Sequence, residues 1–179
     1  MAHFAKLNAN GAVIKIHVVN NNDAPTEEAG IKFLQTLNKE TDTIYKQTSY
    51  NTHLRVHYTQ EHYPEGHENE GKLIPSEDQS KAFRGNYAAI GGHYDEVKDI
   101  FVGKKPYLSW ESYDDNGMWL PVTPAPSLFE HNGKQLITTF DDDNVRWVGM
   151  EGDSPPPVSI SDFNLYWDPS TETWNDIVS

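Results

Sequence analysis

A chain of 179 residues has room for one domain with a real core, or for two small ones. With 14 basic against 27 acidic side chains the net charge is −13, which repels phosphate and argues against nucleic acid and anionic membranes as partners; with no cysteine, disulfides and thiolate chemistry are excluded. Hydrophobic residues make up only 36% of the chain while aromatic ones reach 12%, so thin, ring-built cores are expected instead of disorder, which is poor in aromatics.

The first predicted element is a hairpin over "AHFAKLNANGAVIKIHVVN". Asn10-Gly11 is the strongest short turn signal, because both residues tolerate positive φ. That turn sets Leu7 opposite Ile14, Ala5 opposite Ile16 and His3 opposite Val18, with Phe4, Lys6, Lys15 and His17 on the other face. His17 has two readings, a ligand or a cross-strand partner of Phe4, and the second is preferred. A helix follows in "NNNDAPTEEAGIKFLQTLNKE". Thr26 or Asp23 can cap it, and Glu27 and Glu28 suit the positive end of its dipole. Ile31, Leu34 and Leu37 recur at spacing three beside Phe33, a stripe expected to pack on one face of the first sheet. Gly30 weakens the helix by about 1 kcal/mol, so the helix depends on that packing.

"TIYKQTSYNTHLRVHYTQ" returns to strand-like residues. Residues 61–80, with two prolines, two glycines and many charges, then read as an exposed insertion loop between a first domain, 1–60, and an aromatic region, 81–179.

That region carries a loose repeat of ring, acidic turn, ring. Tyr94 and Phe101, Trp110 and Trp119, Phe140 and Trp147, and Trp167 and Trp174 stand 7, 9, 7 and 7 residues apart. Asp, Asn, Gly and Pro supply each turn, and cross-strand rings tie the arms. Proline joints ("GKKPYLS", "PVTPAPS", "GDSPPPVS") separate the units and suit edges or extended chain. A lone hairpin is marginal in water, so these rings are expected to need a second surface, their own or a neighbour's. In "NYAAIGG", Gly91-Gly92 reads as a tight bend at a sheet corner, with a close backbone contact to another subunit as the alternative.

Few residues point to chemistry. His53, His57, His62 and His67 cluster, yet lack a metalloprotease pattern and a fixed third ligand. Asp141 to Asn144 looks oxygen-rich, but a calcium loop starting there needs Gly at its sixth place and Glu at its twelfth, where Arg146 and Gly152 stand. The chain has no nucleophile elbow, phosphate loop or dinucleotide fingerprint. The sequence therefore calls for no catalytic residue, cofactor or metal. Aromatic hairpins could still present flat sugar-binding faces.

"MAHFAKLNANGAVIKIHVVNNNDAPTEEAGIKFL", "SYNTHLRVHY" and "AFRGNYAAIGGHYDEVKDIF" together resemble a family of small virion-associated proteins of tailed bacteriophages, especially marine cyanophages. The likeness is clearest over Met1 to Pro106 and continues as a pattern through "PYLSWESYDDNGMWLPV" and "YWDPSTETW"; it departs at Glu61 to Ser80 and at Thr123 to Val158. The resemblance implies a structural place in the particle and supplies no functional residues.

The expectation is thus a mainly β, α+β protein. An N-terminal hairpin sheet with one helix is followed by successive short aromatic hairpins. The expected function is non-enzymatic: a phage virion structural protein made in the host bacterial cytoplasm and decorating the head. It would contact other virion proteins and copies of itself, and neither nucleic acid nor membrane. A neck or tail component, or a carbohydrate-binding module of the adsorption apparatus, are the alternatives. The expected contact residues are Arg84, Asn86, Tyr87, Tyr94, Trp110 and Trp119, since Arg and aromatic side chains are enriched at interfaces. For Arg84 the competing reading is an internal salt bridge.

Overall fold

The structure, a computed structural model, describes residues 1–59, 65–68 and 70–178. It is mainly β, with 34% strand and 10% helix, and it falls in the α+β class. The contacts divide it into two units. The first is Met1–Lys105 with Tyr113–Met118; the second is Pro106–Ser112 with Trp119 onward. A boundary at 61–80 is therefore corrected: the chain from Phe83 to Lys105 belongs to the first unit, because the Ala88–Gly92 turn is hydrogen-bonded to the first hairpin. The expected insertion loop lies partly outside the described residues.

The first unit is built on a three-stranded antiparallel sheet, β1 (Ala2–Leu7) between β2 (Val13–Val19) and β3 (Ile44–Thr48). His3 pairs with Val18, Phe4 with His17 and Ala5 with Ile16, as the sequence indicates. The register slips after Lys6, so Leu7 meets Val13, and Ile14 is left 48% exposed where a partner of Leu7 was expected. The turn is longer than two residues. Asn8 Oδ1 accepts from the backbone of Asn10 and Ala12, and Gly11 takes φ +77°.

Helix α1 (Glu27–Asn38) starts on Thr26, whose hydroxyl accepts from Ala29 N at 3.2 Å. It ends on Lys39 in the left-handed region, whose N–H returns to the last turn. Leu34 is buried with Phe4, Ala2, Val19, Ala24 and Tyr45, and Ile31 and Phe33 lean on that cluster; Leu37, expected in the stripe, is exposed. The opposite face of the sheet buries Ala5, Leu7 and Val13 against Ala88 and Phe101. The sheet is thus covered on both sides, which is why small Ala5 and large Phe4 are equally buried.

Gly30 has a specific reason. A Cβ there would stand 2.2 Å from Phe4 Cζ and 2.9 Å from Ala24 Cβ. Gly30→Ala is therefore expected to destabilise by about 1–2 kcal/mol, overpacking outweighing the ~1 kcal/mol of helix propensity gained. Urea denaturation checks the sign, and a Phe4→Leu second change should recover part of the loss.

Two short hairpins complete this unit: β4 (Thr52–His53) with β5 (Val56–His57), and β6 (His93–Asp95) with β7 (Ile100–Val102). Further on, β8 (Ser112–Tyr113) and β9 (Trp119–Leu120) flank the Asp114–Gly117 turn.

The second unit is an antiparallel meander: β10 (Glu130–His131), β11 (Lys134–Asp141), β12 (Arg146–Glu151), β13 (Leu165–Asp168) and β14 (Thr173–Asp176), adjacent in that order. Three of the four expected ring pairs face each other across strands. Tyr94 opposes Phe101 at 5.3 Å, Phe140 opposes Trp147 at 5.3 Å, and Trp167 opposes Trp174 at 5.5 Å. The fourth is corrected. Trp110 precedes β8 and packs on Tyr107, Phe140 and Trp147, because the strands at that turn begin two residues later. The separate hairpins of this half also join in one sheet with clusters of their own, Leu165–Trp167–Trp174 and Val148–Met150–Phe163.

Candidate functional site

The first unit holds an open cleft of about 900 Å³. Its wall is assembled from chain ends of the sheet. His3 pairs with Thr48 in register, so the start of β1 and the end of β3 lie side by side. Directly after β3 the chain turns, with Thr52 N bonded to Ser49 O at 2.9 Å, and Tyr50 is thrown outward. Tyr87 is brought to the same place by its backbone N–H, which donates to Thr52 O at 3.1 Å.

Three rings result. His3 lies 5.3 Å from Tyr50 and 5.7 Å from Tyr87, and Tyr50 and Tyr87 meet edge to face at 6.5 Å. His3 Nδ1 and the Tyr87 hydroxyl share a hydrogen bond of 3.1 Å. Burial depresses the basicity of His3 and raises the Tyr87 phenol above its usual range. Tyr50 nonetheless remains 55% exposed.

His3, Tyr50, Gln47, Asn51, His57 and Lys81 line the cleft. His57 is fixed by Ser76, with Nδ1 2.7 Å from the hydroxyl. None of the described lining residues is an Asp or Glu, in a chain that has 27 of them.

Of the expected contact residues, Tyr87 is the one that touches the site, through His3 and Tyr50, without lining the cleft itself. Arg84 is turned inward, its side chain 13% exposed. Nη1 donates to Gln47 O at 2.9 Å, Nη2 to the Glu27 carboxylate at 2.9 Å, and the guanidinium sits 5.9 Å from the Tyr94 ring. The internal salt bridge is thus the observed arrangement, and it joins the first turn of α1 to β3. Asn86 is likewise occupied: Oδ1 accepts from Leu54 N at 2.8 Å, and Nδ2 donates to Phe101 O and Asn116 O at 3.0 and 2.7 Å. Tyr94 packs on Phe101 under Lys46 and Arg84. Trp110 is buried in its ring cluster and Trp119 is half-buried. His3, Tyr50 and Lys81 are the residues sequence reasoning missed. The His3–Val18 pairing was readable, but Tyr50 sat inside a strand-like run and Lys81 at the start of the region read as aromatic hairpins.

The acidic turns are occupied by backbone N–H groups, of the turn itself for Asp114 and Asp141 and of a distant segment for Asp142. Asp114 Oδ1 accepts from Asn116 N and Met118 N, both at 2.9 Å. Asp141 accepts from Asn144 N and Nδ2, and Asp142 takes the backbone N–H groups of Leu108 and Ser109 at 2.7 and 3.0 Å. Gly91-Gly92 forms the tight bend within the chain, with Gly91 at φ +86°. His17 stands opposite Phe4 and edge-on to Tyr45. His53 and His57 fall on different strands of one small hairpin. His62 lies outside the described residues. Among the described residues no three His, Asp or Glu side chains converge as metal ligands would.

Asp95 illustrates the same use and gives a measurable signature. Its carboxylate accepts from Lys98 N, Val97 N and, at 2.8 Å, the Tyr113 hydroxyl. Burial first, then this bond, pushes the Tyr113 phenol from 10.0 up to about 12. Because the folded value lies above the free one, the associated stabilisation is full below pH 10, and is lost as pH rises through about 12. Tyrosinate absorbance against pH should show a late step that includes Tyr113, with Tyr45, Tyr87 and Tyr94 also delayed, and Asp95→Asn should bring part of that step earlier. Joint ionisation of all the tyrosines in one step would contradict the assignment.

No family model matches the chain, and neither a curated protein nor a solved structure is similar to it. No helix among the described residues is long and apolar enough to cross a membrane.

Proposed function

We propose that the chain is a non-catalytic structural protein of a tailed-phage particle, made in the bacterial host and seated on the head surface among other virion proteins and copies of itself. The observation that carries this reading is the proline joint of the second unit. Two indoles, one buried and one half-buried, hold its backbone: Trp147 Nε1 donates to Thr123 O at 3.1 Å, and Trp174 Nε1 to Leu128 O at 2.7 Å. The Thr123 hydroxyl in turn donates to Val145 O at 2.6 Å. Along this fixed segment Leu120, Val122, Leu128 and Phe129 keep between 43% and 50% of their surface open. A rigid backbone presenting a run of half-open apolar side chains suits docking on a larger surface, since little conformational entropy is lost on association. The likeness of the first hundred residues to virion-associated proteins supplies the kind of surface. The use of the acidic turns as acceptors for backbone N–H groups supports a non-catalytic role.

Co-sedimentation with purified heads and, separately, with purified tails tests it. Binding to heads, reduced at least about tenfold by the Leu128→Glu, Phe129→Glu pair, is expected for an apolar contact of this size. Binding to tails alone would move the protein to the neck or tail. Binding to neither, or binding indifferent to the pair, would overturn the reading.

A further inference from the structure

The cleft of the first unit is not used by the assembly reading, and its chemistry is of another kind. At about 900 Å³ it lies within the ~300–1,000 Å³ of small-molecule sites. Tyr50 is exposed yet oriented by two neighbouring rings, so a flat apolar face is held ready at no further ordering cost. The same cleft is lined by the amide of Gln47 and the hydroxyl of Ser49, groups that both donate and accept, as sugar hydroxyls require.

The charge is what narrows the ligand. The chain carries −13, yet the described lining contains no carboxylate and does contain Lys81, which makes no ion pair with any described acidic side chain, although, after the hydrogen bonds from Ser80, its charge helps lower the Asp78 carboxyl. Burial first, then the nearby Met1 amino group, depress the basicity of His3, and Lys81 and that amino group are cations of the described wall. A polyphosphate or nucleic acid needs several cations to overcome the surrounding field. Cations without a described carboxylate, in a cleft that also holds the Tyr50 ring, match a sugar bearing a single carboxylate on each unit. The repulsion from distant surface acids is screened beyond about 8 Å at physiological salt, while the local cation is not.

We propose that this cleft binds an acidic saccharide of the uronate or sialate type, with Tyr50 stacking on the sugar ring and Lys81 pairing with its carboxylate. The proposal goes beyond the head-surface reading and does not rest on it.

Calorimetric titration of the full chain tests it with two matched pairs: trigalacturonate against its methyl ester, and sialyllactose against lactose. At least one acidic member should bind at least about tenfold tighter than its neutral counterpart. Tyr50→Ala and Lys81→Gln should each weaken that binding about tenfold, while Tyr50→Phe and Lys81→Arg retain most of it. Unchanged melting temperatures establish that the variants fold. Absence of binding by both acidic sugars, equal binding of acidic and neutral members, or indifference to Lys81→Gln overturns the proposal. The Tyr50 and Lys81 variants should join heads as the parent does, so a failure here leaves the assembly reading standing.

Discussion

Gly92→Ala is expected to cost at least about 3 kcal/mol, the heaviest loss from any single methyl group in the first unit. The added Cβ would lie 2.3 Å from Val102 O, 3.1 Å from Ala89 O and 3.2 Å from Gly103 C. All three are backbone atoms, so no side chain can rotate away. The same residue ties the unit together. Its carbonyl accepts from Val13 N at 2.9 Å, its N–H donates to Ala89 O at 3.0 Å, and Gly91 N donates to Val13 O at 3.0 Å. Moving this turn outward would break those bonds and expose Ala88, which is buried against Ala5, Leu7 and Phe101. Gly91→Ala is the control. There the nearest atom is Lys104 Cδ at 3.8 Å, and only the positive φ of +86° opposes the methyl, for roughly 1–2 kcal/mol. Chemical denaturation of both variants gives the ordering. Equal losses would mean that conformation, not contact, explains the double glycine.

This pair also marks where sequence reading stops. The bend at Gly91-Gly92 was legible from residue type, but the carbonyl that excludes a side chain at Gly92 comes from Val102, ten residues on. The three ring clasps were legible because each partner lies at a fixed short distance across a turn the chain itself encodes. The Thr26 cap and the Leu34 face of the helix were legible for the same reason. Trp110 was misassigned because strand starts are set by packing that no local pattern fixes, and Leu37 because a spacing rule cannot know where the sheet ends. The site depended on longer reach still. His3, Tyr50 and Tyr87 come from three separate segments, and only the register of β1 against β3 together with the Tyr87–Thr52 bond brings them into contact. Arg84 and Asn86 were singled out as contact residues by type. Their partners, Glu27 and Asn116 among them, lie far along the chain, so type alone could not separate an interface arginine from an internal clamp.

The two units use aromatic residues differently, and this bears on both functional readings. In the first, rings at the cleft are partly open and held by one another. In the second, Trp110, Trp167 and Trp174 are buried, and the indole N–H groups of Trp147 and Trp174 donate to carbonyls of the proline joint. A proline segment has few N–H groups with which to join a ladder, so its carbonyls are what the sheet can hold. The apolar side chains of that joint stay outside because the indoles have taken the inner positions.

Trp174→Ala should accordingly do more than leave a cavity. Removing a buried tryptophan costs about 3–5 kcal/mol in itself, a large share of the stability of a small unit. Here the ring also contacts Trp167 at 5.5 Å and lies against Gly149, where a Cβ would come within 3.0 Å of Trp174 Cζ3. Its N–H is the bond that fixes Leu128. Loss of the ring should therefore free the joint and unpair β13 and β14. Hydrogen exchange is expected to accelerate across Lys134–Asp176, with β1 to β3 keeping their protection. Trp174→Phe separates the two contributions: it keeps most of the packing and removes the donor, for about 1 kcal/mol. If the proposed docking surface depends on a fixed joint, Trp174→Phe should weaken head binding while the sheet stays folded. A Trp174→Phe chain that binds heads as tightly as the parent would separate assembly from the indole clamp, and leave the clamp as a feature of stability alone.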